Sequence, residues 1–261
     1  MSKQEQFLFG INPVLEKLKA SPNDVSQIIL TERSVHPGLR AVHAQATRLG
    51  LRVTYADPKE LNRLAQGKQH QGVLARVGAY SYAAFSDLLG RLSSLSETDW
   101  VWLLLMDGLT DPQNFGALLR SAEAVGVRHV VIPKDRSVGV TPTVVKASSG
   151  AAHHLNVYRV TNLRRAIEAL KQYGVWIVGL DAQGGQGIYE RGYPRRLGIV
   201  LGSEGRGIRP LIRRQCDYLV SIPMTGKVPS LNVSVAGAVF LYELLRQKKA
   251  LTRTQLTDKR Q

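Results

Sequence analysis

Three loops, each beside an apolar stretch, constrain the fold of this chain more than any other feature. The first, Val200-Leu-Gly-Ser-Glu-Gly-Arg-Gly-Ile208, follows the pattern of a buried strand at 197–201 and contains three glycines. The second, Ser221-Ile-Pro-Met-Thr-Gly226, ends the apolar segment 218–222, and the third, Ser230-Leu-Asn-Val-Ser-Val-Ala236, leads into a predicted helix. Because loops at the carboxyl ends of parallel strands meet at one sheet edge, the pattern predicts one ligand pocket there.

The glycine spacing of the first loop argues against a dinucleotide site. That fingerprint requires glycines at positions one, three and six, whereas Gly202, Gly205 and Gly207 fall at positions one, four and six. The acidic residue that would bind the ribose in such a site is not evident either. A nicotinamide-dependent dehydrogenase is therefore the weakest function considered for this chain.

The charge balance favours a polyanionic partner. Lys and Arg number 35 against 20 Asp and Glu, which gives a formal net charge of +15 and indicates a nucleic-acid partner. No apolar run approaches the ~20 residues that a membrane-spanning helix needs, so we expect no membrane association.

Cysteine and histidine usage argues against a disulfide or a metal site. Cys216 is the single cysteine and has no partner within the chain, which suits a reducing cytoplasm. The six histidines are scattered, apart from the neighbours His153 and His154, and we expect no bound metal. Residues 1–6 are polar and show no signal-peptide pattern, so we expect a cytoplasmic protein.

The first 80 residues alternate helical and strand patterns, and we assign 1–80 to a small α/β domain. Asn12 and Pro13 are typical of a helix start, as N-cap and first helical residue, and Asp57 is placed to open another helix. The predicted elements are helix 13–18, strand 27–30, helix 39–49, strand 52–55, helix 58–65 and strand 72–77.

A second α/β unit follows a linker. Residues 81–99 are rich in Ser and Leu and contain one short predicted helix, 85–92. We assign 100–250 to the second domain and 251–261 to a basic tail. Near-continuous apolar strands separated by helices predict a mostly parallel sheet that is covered on both faces. The predicted elements are strand 101–106, helix 114–125, strand 130–132, helix 162–172, strands 175–180, 199–201 and 218–222, and helix 232–247.

These loops carry a family resemblance together with an upstream motif, Asp107-Gly-Leu-Thr-Asp-Pro-Gln-Asn-Phe-Gly-Ala-Leu-Leu-Arg-Ser-Ala122. In this order they resemble the three motifs of the SpoU (TrmH-type) branch of the SPOUT RNA 2'-O-methyltransferases, over roughly 100–248. Phe9-Gly-Ile-Asn-Pro-Val-Leu-Glu16 and His70-Gln-Gly-Val73 resemble the accessory domain of the bacterial enzyme that methylates a guanosine of 23S rRNA. Each piece is unspecific by itself, and the combination is specific.

The resemblance implies a function and a fold. It implies S-adenosylmethionine-dependent methylation of the ribose 2'-OH of one guanosine in 23S rRNA, either free or in a large-subunit assembly intermediate. It also implies a ribosomal-protein-type RNA-binding domain in front, a SPOUT domain with a C-terminal trefoil knot, and a homodimer that completes the pocket across its interface. Two alternatives stay open: a tRNA guanosine 2'-O-methyltransferase, and a non-catalytic RNA-binding factor for ribosome assembly.

The resemblance implies catalytic roles for five residues: Asn114, Arg120, Glu204, Ser230 and Asn232. Arg120 stands in a largely apolar stretch, where an unpaired guanidinium would be costly, and this favours a functional role. Because arginine is effectively always protonated, we expect it to bind a phosphate and polarise the 2'-OH, while its role as a literal base stays open. Asn114 alternatively caps a helix, and Glu204 alternatively forms a surface ion pair. Ser230 and Asn232 also suit the cap of helix 232–247, which is compatible with a role near the ribose.

Backbone contacts to the cofactor are carried over by motif to Gly202, Ile222 and Leu231. Leu201, Met224 and Gly226 are expected to lie beside them and complete the cofactor-binding set. Glycine would let the backbone approach the adenine and ribose of S-adenosylmethionine, although any single glycine alternatively marks a tight turn. A fourth loop, Gly184-Gly-Gln-Gly187, is expected near the cofactor without an assigned role.

Basic side chains of the front domain are candidates for RNA contacts. Most are expected on solvated helix faces, and some are expected to neutralise phosphates. They are Arg33, Arg40, Arg48, Arg52, Lys59, Arg63 and Lys68.

Overall fold

The computed structural model describes residues 6–32 and 36–258, with side chains described as far as Thr252; Arg33 lies outside these residues. Two compact units alternate along the sequence. Unit 1 is formed by the described residues within Met1–Ser81, Phe115–Arg120 and Val140–His154, and unit 2 by those within Tyr82–Asn114, Ser121–Gly139 and Leu155–Gln261. The division of labour assigned to 1–80, 81–99, 100–250 and 251–261 stays a prediction.

A β-sheet lies at the centre of each unit. The strands of unit 1 are β1 (Gln6–Phe9), β2 (Val25–Thr31), β3 (Val53–Ala56) and β4 (Val73–Val77). They pair in the order β1-β4-β2-β3, with β4 antiparallel to both neighbours and β2 parallel to β3. The strands of unit 2 are β5 (Val101–Asp107), β6 (His129–Pro133), β7 (Asn156–Val160), β8 (Trp176–Leu180), β9 (Gln186–Gly187), β10 (Arg196–Gly202) and β11 (Tyr218–Ser221).

The seven strands of unit 2 pair in the order β7-β6-β5-β10-β8-β11-β9, and the pairs are parallel. This confirms the predicted mostly parallel sheet. Every residue of β5 and of β6 is buried, as expected for strands that are covered on both faces.

Helices cover both sheets. In chain order the α-helices are α1 (Ile11–Ala20), α2 (Pro37–Arg48), α3 (Pro58–Leu64), α4 (Phe85–Ser94), α5 (Pro112–Ala124), α6 (Pro142–Ala147), α7 (Leu163–Lys171), α8 (Pro210–Arg213) and α9 (Val233–Asp258). On one face of the unit 2 sheet, Leu88 of α4 and Ile167 of α7 pack in one apolar cluster with Leu103 and Leu105 of β5. Because each of these side chains is removed from water, the cluster stabilises the sheet through apolar burial.

Two predicted helix starts have different outcomes. Asp57 caps α3, since its Oδ1 accepts a hydrogen bond from the Glu60 backbone N–H at 2.8 Å. The predicted start of α1 is wrong: the helix begins at Ile11, and Asn12 lies inside its first turn. The Ile11 N–H donates instead to Oε1 of Gln71 at 3.0 Å. A residue sixty positions away therefore satisfies a donor that sequence reasoning assigned to a local cap.

Short elements account for most of the other differences from the predicted pattern. Five were not predicted: β1, β7, β9, α6 and α8. All have seven or fewer residues, too few to show a clear period. At the carboxyl end, α9 continues to Asp258, eleven residues beyond the predicted end of that helix.

Candidate active site

A cavity of about 530 Å³ opens at the carboxyl ends of β8, β10 and β11 in unit 2. Four segments line it, together with Arg213 of α8 and Ala236 of α9: 180–183 at the end of β8, 201–208 at the end of β10, Ile222 and Met224 after β11, and 229–233 at the start of α9. The three loops that sequence reasoning singled out thus reach one cavity at one edge of a parallel sheet, as predicted.

The loop after β10 is a tight hairpin. The Ser203 N–H donates to the Gly207 carbonyl at 3.1 Å, and the Gly207 N–H donates back to the Ser203 carbonyl at 2.9 Å. Gly205 and Gly207 have positive φ angles of 77° and 64°, which glycine adopts without steric cost. The hairpin holds Glu204 at the cavity, where it forms part of the lining.

Gly202 has a structural reason to be glycine that differs from the predicted one. A Cβ atom at this position would lie 2.0 Å from the carbonyl carbon of Gly207 and 2.3 Å from its oxygen. The hairpin returns over Gly202 so closely that no side chain fits, whether or not a cofactor is bound. The glycine therefore permits the loop to close. Its contact with the cofactor stays a prediction.

An ion pair joins the far end of this loop to β5. Asp107, the last residue of β5, is 1 % exposed. Its Oδ1 accepts from Nε of Arg209 at 2.7 Å and lies 2.5 Å from an Nη of the same guanidinium, while Oδ2 accepts from the Arg209 backbone N–H at 2.7 Å. Because a buried carboxylate needs such compensation, this contact fixes where the 203–208 hairpin returns to the sheet.

A chain of hydrogen bonds connects Glu204, Asn114 and Asn232. Asn114 Nδ2 donates to Oε1 of Glu204 at 2.6 Å, and Asn232 Nδ2 donates to Oδ1 of Asn114 at 2.9 Å. Asn232 Oδ1 then accepts from the Ser234 backbone N–H at 2.9 Å, which caps α9. In this series of hydrogen bonds, Nδ2 of each asparagine donates and Oδ1 of each accepts. The two side-chain amides are therefore each held in one orientation.

The chain of bonds decides between the alternatives for three residues. Asn114 does not cap α5; Asp111 does so, accepting from the Asn114 N–H at 2.8 Å. Glu204 bonds to Asn114, so the alternative of a surface ion pair is not needed to explain it. Asn232 caps α9 and contacts Asn114 at once, while its role near the ribose stays a prediction.

Arg120 lies in unit 1 and differs from the expectation. The apolar neighbours Leu118 and Leu119 are fully buried, but Arg120 itself is exposed, and its Nη1 donates to the Ser149 hydroxyl at 3.2 Å. Neighbours along a helix point in different directions, so an apolar stretch does not bury the arginine within it. The argument from burial was therefore wrong, and the catalytic role of Arg120 stays a prediction.

The residues carried over for the cofactor fall into two groups. Five line the cavity: Leu201, Gly202, Ile222, Met224 and Leu231. Gly226 lies outside its lining. Ser230, predicted to act near the ribose, is part of the lining and exposed. The assigned contacts themselves stay predictions.

Sequence reasoning missed the segment after β8. Asp181, Gln183 and Arg213 line the cavity, and an Nη of Arg213 lies 3.7 Å from Oδ2 of Asp181. The available signal was the position of Asp181 directly after a buried parallel strand, at the edge where ligands bind. The loop Gly184–Gly187 was expected near the cofactor, but of this region only Gln183 and the residues before it line the cavity.

The described ranges 6–32 and 36–258 contain neither a metal cluster nor a membrane-spanning helix. Within them, no group of three or more His, Cys, Asp and Glu side chains could hold a metal ion. No helix in that part of the chain combines the length and apolarity needed to cross a membrane. Burial raises the pKa of the Cys216 thiol to about 12, so this cysteine is protonated at neutral pH and a poor nucleophile.

The parallel sheet with a cavity at its carboxyl edge defines an α/β protein that binds its ligand beside the strand ends. The model of the SpoU rRNA Methylase family matches residues 102–242, and the model of RNA 2'-O ribose methyltransferase substrate binding matches residues 7–83. The chain belongs to the SpoU rRNA methylase family.

Known relatives and structures agree with this assignment. The 23S rRNA (guanosine-2'-O-)-methyltransferase RlmB of Shewanella oneidensis is 41% identical over 95% of this chain and 100% of its own length. RlmB of Coxiella burnetii is 43% identical over 93% of this chain and 96% of its own. The crystal structure of the SpoU methyltransferase AviRb from Streptomyces viridochromogenes in complex with AdoMet has a TM-score of 0.75 at 25% identity, covering 94% of this chain and 91% of that one.

Proposed function

We propose that this protein transfers a methyl group from S-adenosylmethionine to the ribose 2'-OH of one guanosine in 23S rRNA. The chain is similar over nearly its whole length to proteins named as 23S rRNA guanosine 2'-O-methyltransferases. The single structural observation that carries the proposal is the bonded series Glu204–Asn114–Asn232, because Glu204 and Asn232 line a cofactor-sized cavity and Asn114 is bonded to both.

The cavity fits S-adenosylmethionine in size and chemistry. Its volume of about 530 Å³ lies within the usual range of small-ligand sites. Leu180, Leu201 and Ile222 supply apolar surface for an adenine ring, while Asp181 and Glu204 supply carboxylates for the cationic part of the molecule. When bound, the cofactor supplies an electrophilic methyl group on a sulfonium, so the reaction needs no metal.

The amides of Asn114 and Asn232 would position the ribose. Each amide nitrogen has two N–H groups, and one of each is used within the bonded series. The second N–H of Asn114 and of Asn232 is thus available to an oxygen of the nucleotide. Because Glu204 and the start of α9 hold the two amides in place, the reacting hydroxyl would be oriented by groups that need not reorganise.

Arg120 would act on the RNA side of the reaction. Its guanidinium can bind a phosphate next to the target nucleotide through two parallel hydrogen bonds and can polarise the 2'-OH. Since arginine stays protonated, the hydroxyl proton would pass to that phosphate or to solvent rather than to Arg120. Ser230, at the cavity, would contribute a hydroxyl close to the ribose.

The proposal also includes the oligomeric state and the cellular location of the protein. We propose a homodimer, in which Arg120 of one subunit serves the pocket of the other, in the cytoplasm, where the rRNA and its assembly intermediates are found. Val235 and Tyr242 of α9 support it, since these apolar side chains are about half exposed, at 48% and 53%, on one helix face. A C-terminal trefoil knot is part of the proposed SPOUT fold; the insertion of β10 between β5 and β8 is consistent with it.

Mapping of 2'-O-methylation over all rRNA and tRNA in cells that lack the gene would test the function. Loss of one guanosine mark in 23S rRNA, restored by the wild-type gene but not by a gene carrying Asn114→Ala, is the expected result. Loss of a tRNA mark would replace the proposal with the tRNA enzyme. An unchanged methylation map with defective large subunits would favour the assembly factor.

A further inference from the structure

On one face of the four-stranded sheet in unit 1, the buried apolar cluster lies towards one end of the strands, and the side chains beyond it are partly exposed. The helix on this face, α3, has seven residues and packs through Leu61 and Ala65. It meets Phe9 of β1, Ile29 of β2 and Leu74 of β4, which form one apolar cluster with it. All of these strand residues lie at the same end of the sheet, because β4 runs antiparallel to its neighbours.

The other end of this face carries a polar row with one aromatic ring. Two residues along each strand from the cluster, on the same face, lie Phe7, Arg76 and Gln27. The register aligns them, since Phe7 and Gln27 both pair with Arg76. On β3, Thr54 pairs with Ile29 and joins the row through its side chain, and Arg52 directly precedes that strand.

Contacts between neighbouring side chains make the row continuous. The Arg76 guanidinium lies over the Phe7 ring at 5.1 Å, and Arg76 Nε donates to Oε1 of Gln27 at 3.3 Å. Gln27 Nε2 donates to the Thr54 hydroxyl at 2.8 Å. Phe7, Arg76, Gln27 and Thr54 are partly exposed and Arg52 is exposed, so solvent reaches the whole row.

The charge around the row is positive. α3 and the turn after it add three exposed basic residues beside this face: Lys59, Arg63 and Lys68. The acidic residues of α3 are engaged, since Asp57 caps the helix and Glu60 lies 4.0 Å from Arg63. A flat surface with a partly exposed ring, hydrogen-bonding amide and hydroxyl groups, and several cations has the chemistry that binds unpaired nucleotides.

We propose that this row, Phe7–Arg76–Gln27–Thr54–Arg52, is the surface on which unit 1 holds an unpaired stretch of its RNA substrate. A base stacks on Phe7, Gln27 and Thr54 bond to base edges, and Arg76 and Arg52 neutralise phosphates. The inference rests on the proposed function, which makes RNA the substrate, and adds the site and the single-stranded form of the contact. Duplex RNA does not suit a flat sheet face, because its bases are stacked and paired.

The test measures RNA binding separately from methyl transfer. Full-length wild type, Phe7→Leu and Arg52→Gln are titrated with an in vitro transcript of 23S rRNA at several salt concentrations. Phe7→Leu keeps an apolar side chain for the neighbouring cluster and removes the ring. The matched control is Arg165→Gln, which removes the same charge from an exposed position of α7 that has no assigned role. Thermal unfolding shows that each variant is folded.

Phe7→Leu is expected to weaken binding about tenfold, as for the loss of one stacked base. Arg52→Gln is expected to reduce the slope of log affinity against log salt by about 0.7, the value for one phosphate contact on a single strand. Arg165→Gln should change neither quantity. A single-stranded oligonucleotide should compete for the transcript better than the same sequence as a duplex.

Two results would overturn the inference: equal affinities for Phe7→Leu, Arg52→Gln and Arg165→Gln, or better competition by the duplex. Neither depends on catalysis. If wild type methylates the transcript while the variants bind it normally, the inference fails and the proposed function stands. If wild type fails to methylate any RNA, the proposed function fails, and the binding measurements still decide where RNA docks.

Discussion

The two units hold their functional side chains in different ways. Around the cavity of unit 2 the polar groups restrain one another, with Asn114 bonded to both Glu204 and Asn232 and buried Asp107 bonded to Arg209. In unit 1, by contrast, Arg120 is exposed, and its recorded contact is with a neutral hydroxyl. The polar row of the unit 1 sheet is likewise open to solvent along its length.

This difference matches the ligands that each unit would serve. A small cofactor must be held in one orientation, and side chains restrained by several hydrogen bonds provide that at little further entropic cost. A flexible polyanion is met better by long exposed cations, which keep their hydration until a phosphate arrives. Substitutions in unit 2 should therefore affect cofactor binding, and substitutions in unit 1 should affect RNA binding and transfer.

The largest effect is expected for Gly202→Val. Its side chain would overlap the Gly207 backbone, so the hairpin cannot close, cofactor binding should be lost, and methyl transfer should fall below detection. Calorimetric titration with S-adenosylmethionine measures this. Gly90→Ala, in α4 with no atom within 4 Å of its added Cβ, is the matched control. Unchanged cofactor affinity for Gly202→Val would show that the cavity is not the cofactor site.

Arg120→Ala should show most clearly that the two units have different roles. We expect kcat to fall by about 10²–10³, typical of removing a group that stabilises charge in the transition state. Affinity for S-adenosylmethionine should stay at the wild-type value, because Arg120 is assigned to the RNA. Arg120→Lys should recover only part of the rate, since lysine lacks the two-pronged geometry. Turnover close to wild type in Arg120→Ala would refute the assignment.

Arg209→Ala should have a smaller effect, and this effect should be confined to unit 2. The Asp107 carboxylate would stay buried with only the backbone N–H as donor, so the free energy of unfolding should fall by about 2–3 kcal/mol, allowing for the half-exposed guanidinium. Urea unfolding measures this, with exposed Arg214→Ala as control. Cofactor affinity should fall more than RNA affinity; the reverse order would contradict the comparison between units.

The smallest effect is a pH dependence within α9. Two N–H groups of Arg246, at 2.7 and 2.8 Å, hold the pKa of the Glu243 carboxyl below its ordinary value of 4.5. A lowered folded-state pKa means that this stabilisation is present above the unfolded value and is lost as the pH falls through the folded one. Between about pH 5 and pH 3, the Tm of wild type should thus fall more than that of Glu243→Gln, by a few degrees. If the Tm of wild type and the Tm of Glu243→Gln fell equally with pH, Glu243 would not contribute to the loss of stability in acid.

Sequence reasoning succeeded where the deciding interaction is local or repeats along the chain. Five of the seven strands of unit 2 were predicted because burial on both faces leaves continuous apolar runs, and Asp57 was predicted because a cap acts within three residues. It failed for β1 and β7, whose short segments show no clear period, and for the burial of Arg120, where direction around the helix decides exposure.

The amino-acid sequence by itself determined the parallel sheet, the three loops at one edge and the basic character of the chain, because apolar periodicity, glycine spacing and net charge are written residue by residue. Only the tertiary structure decided that Arg209 neutralises Asp107, that Asn114 bridges Glu204 and Asn232, and that α3 packs towards one end of a sheet face. These contacts join residues about ninety or more positions apart, or depend on where a short helix packs. No local pattern encodes either, since both follow from how distant elements pack.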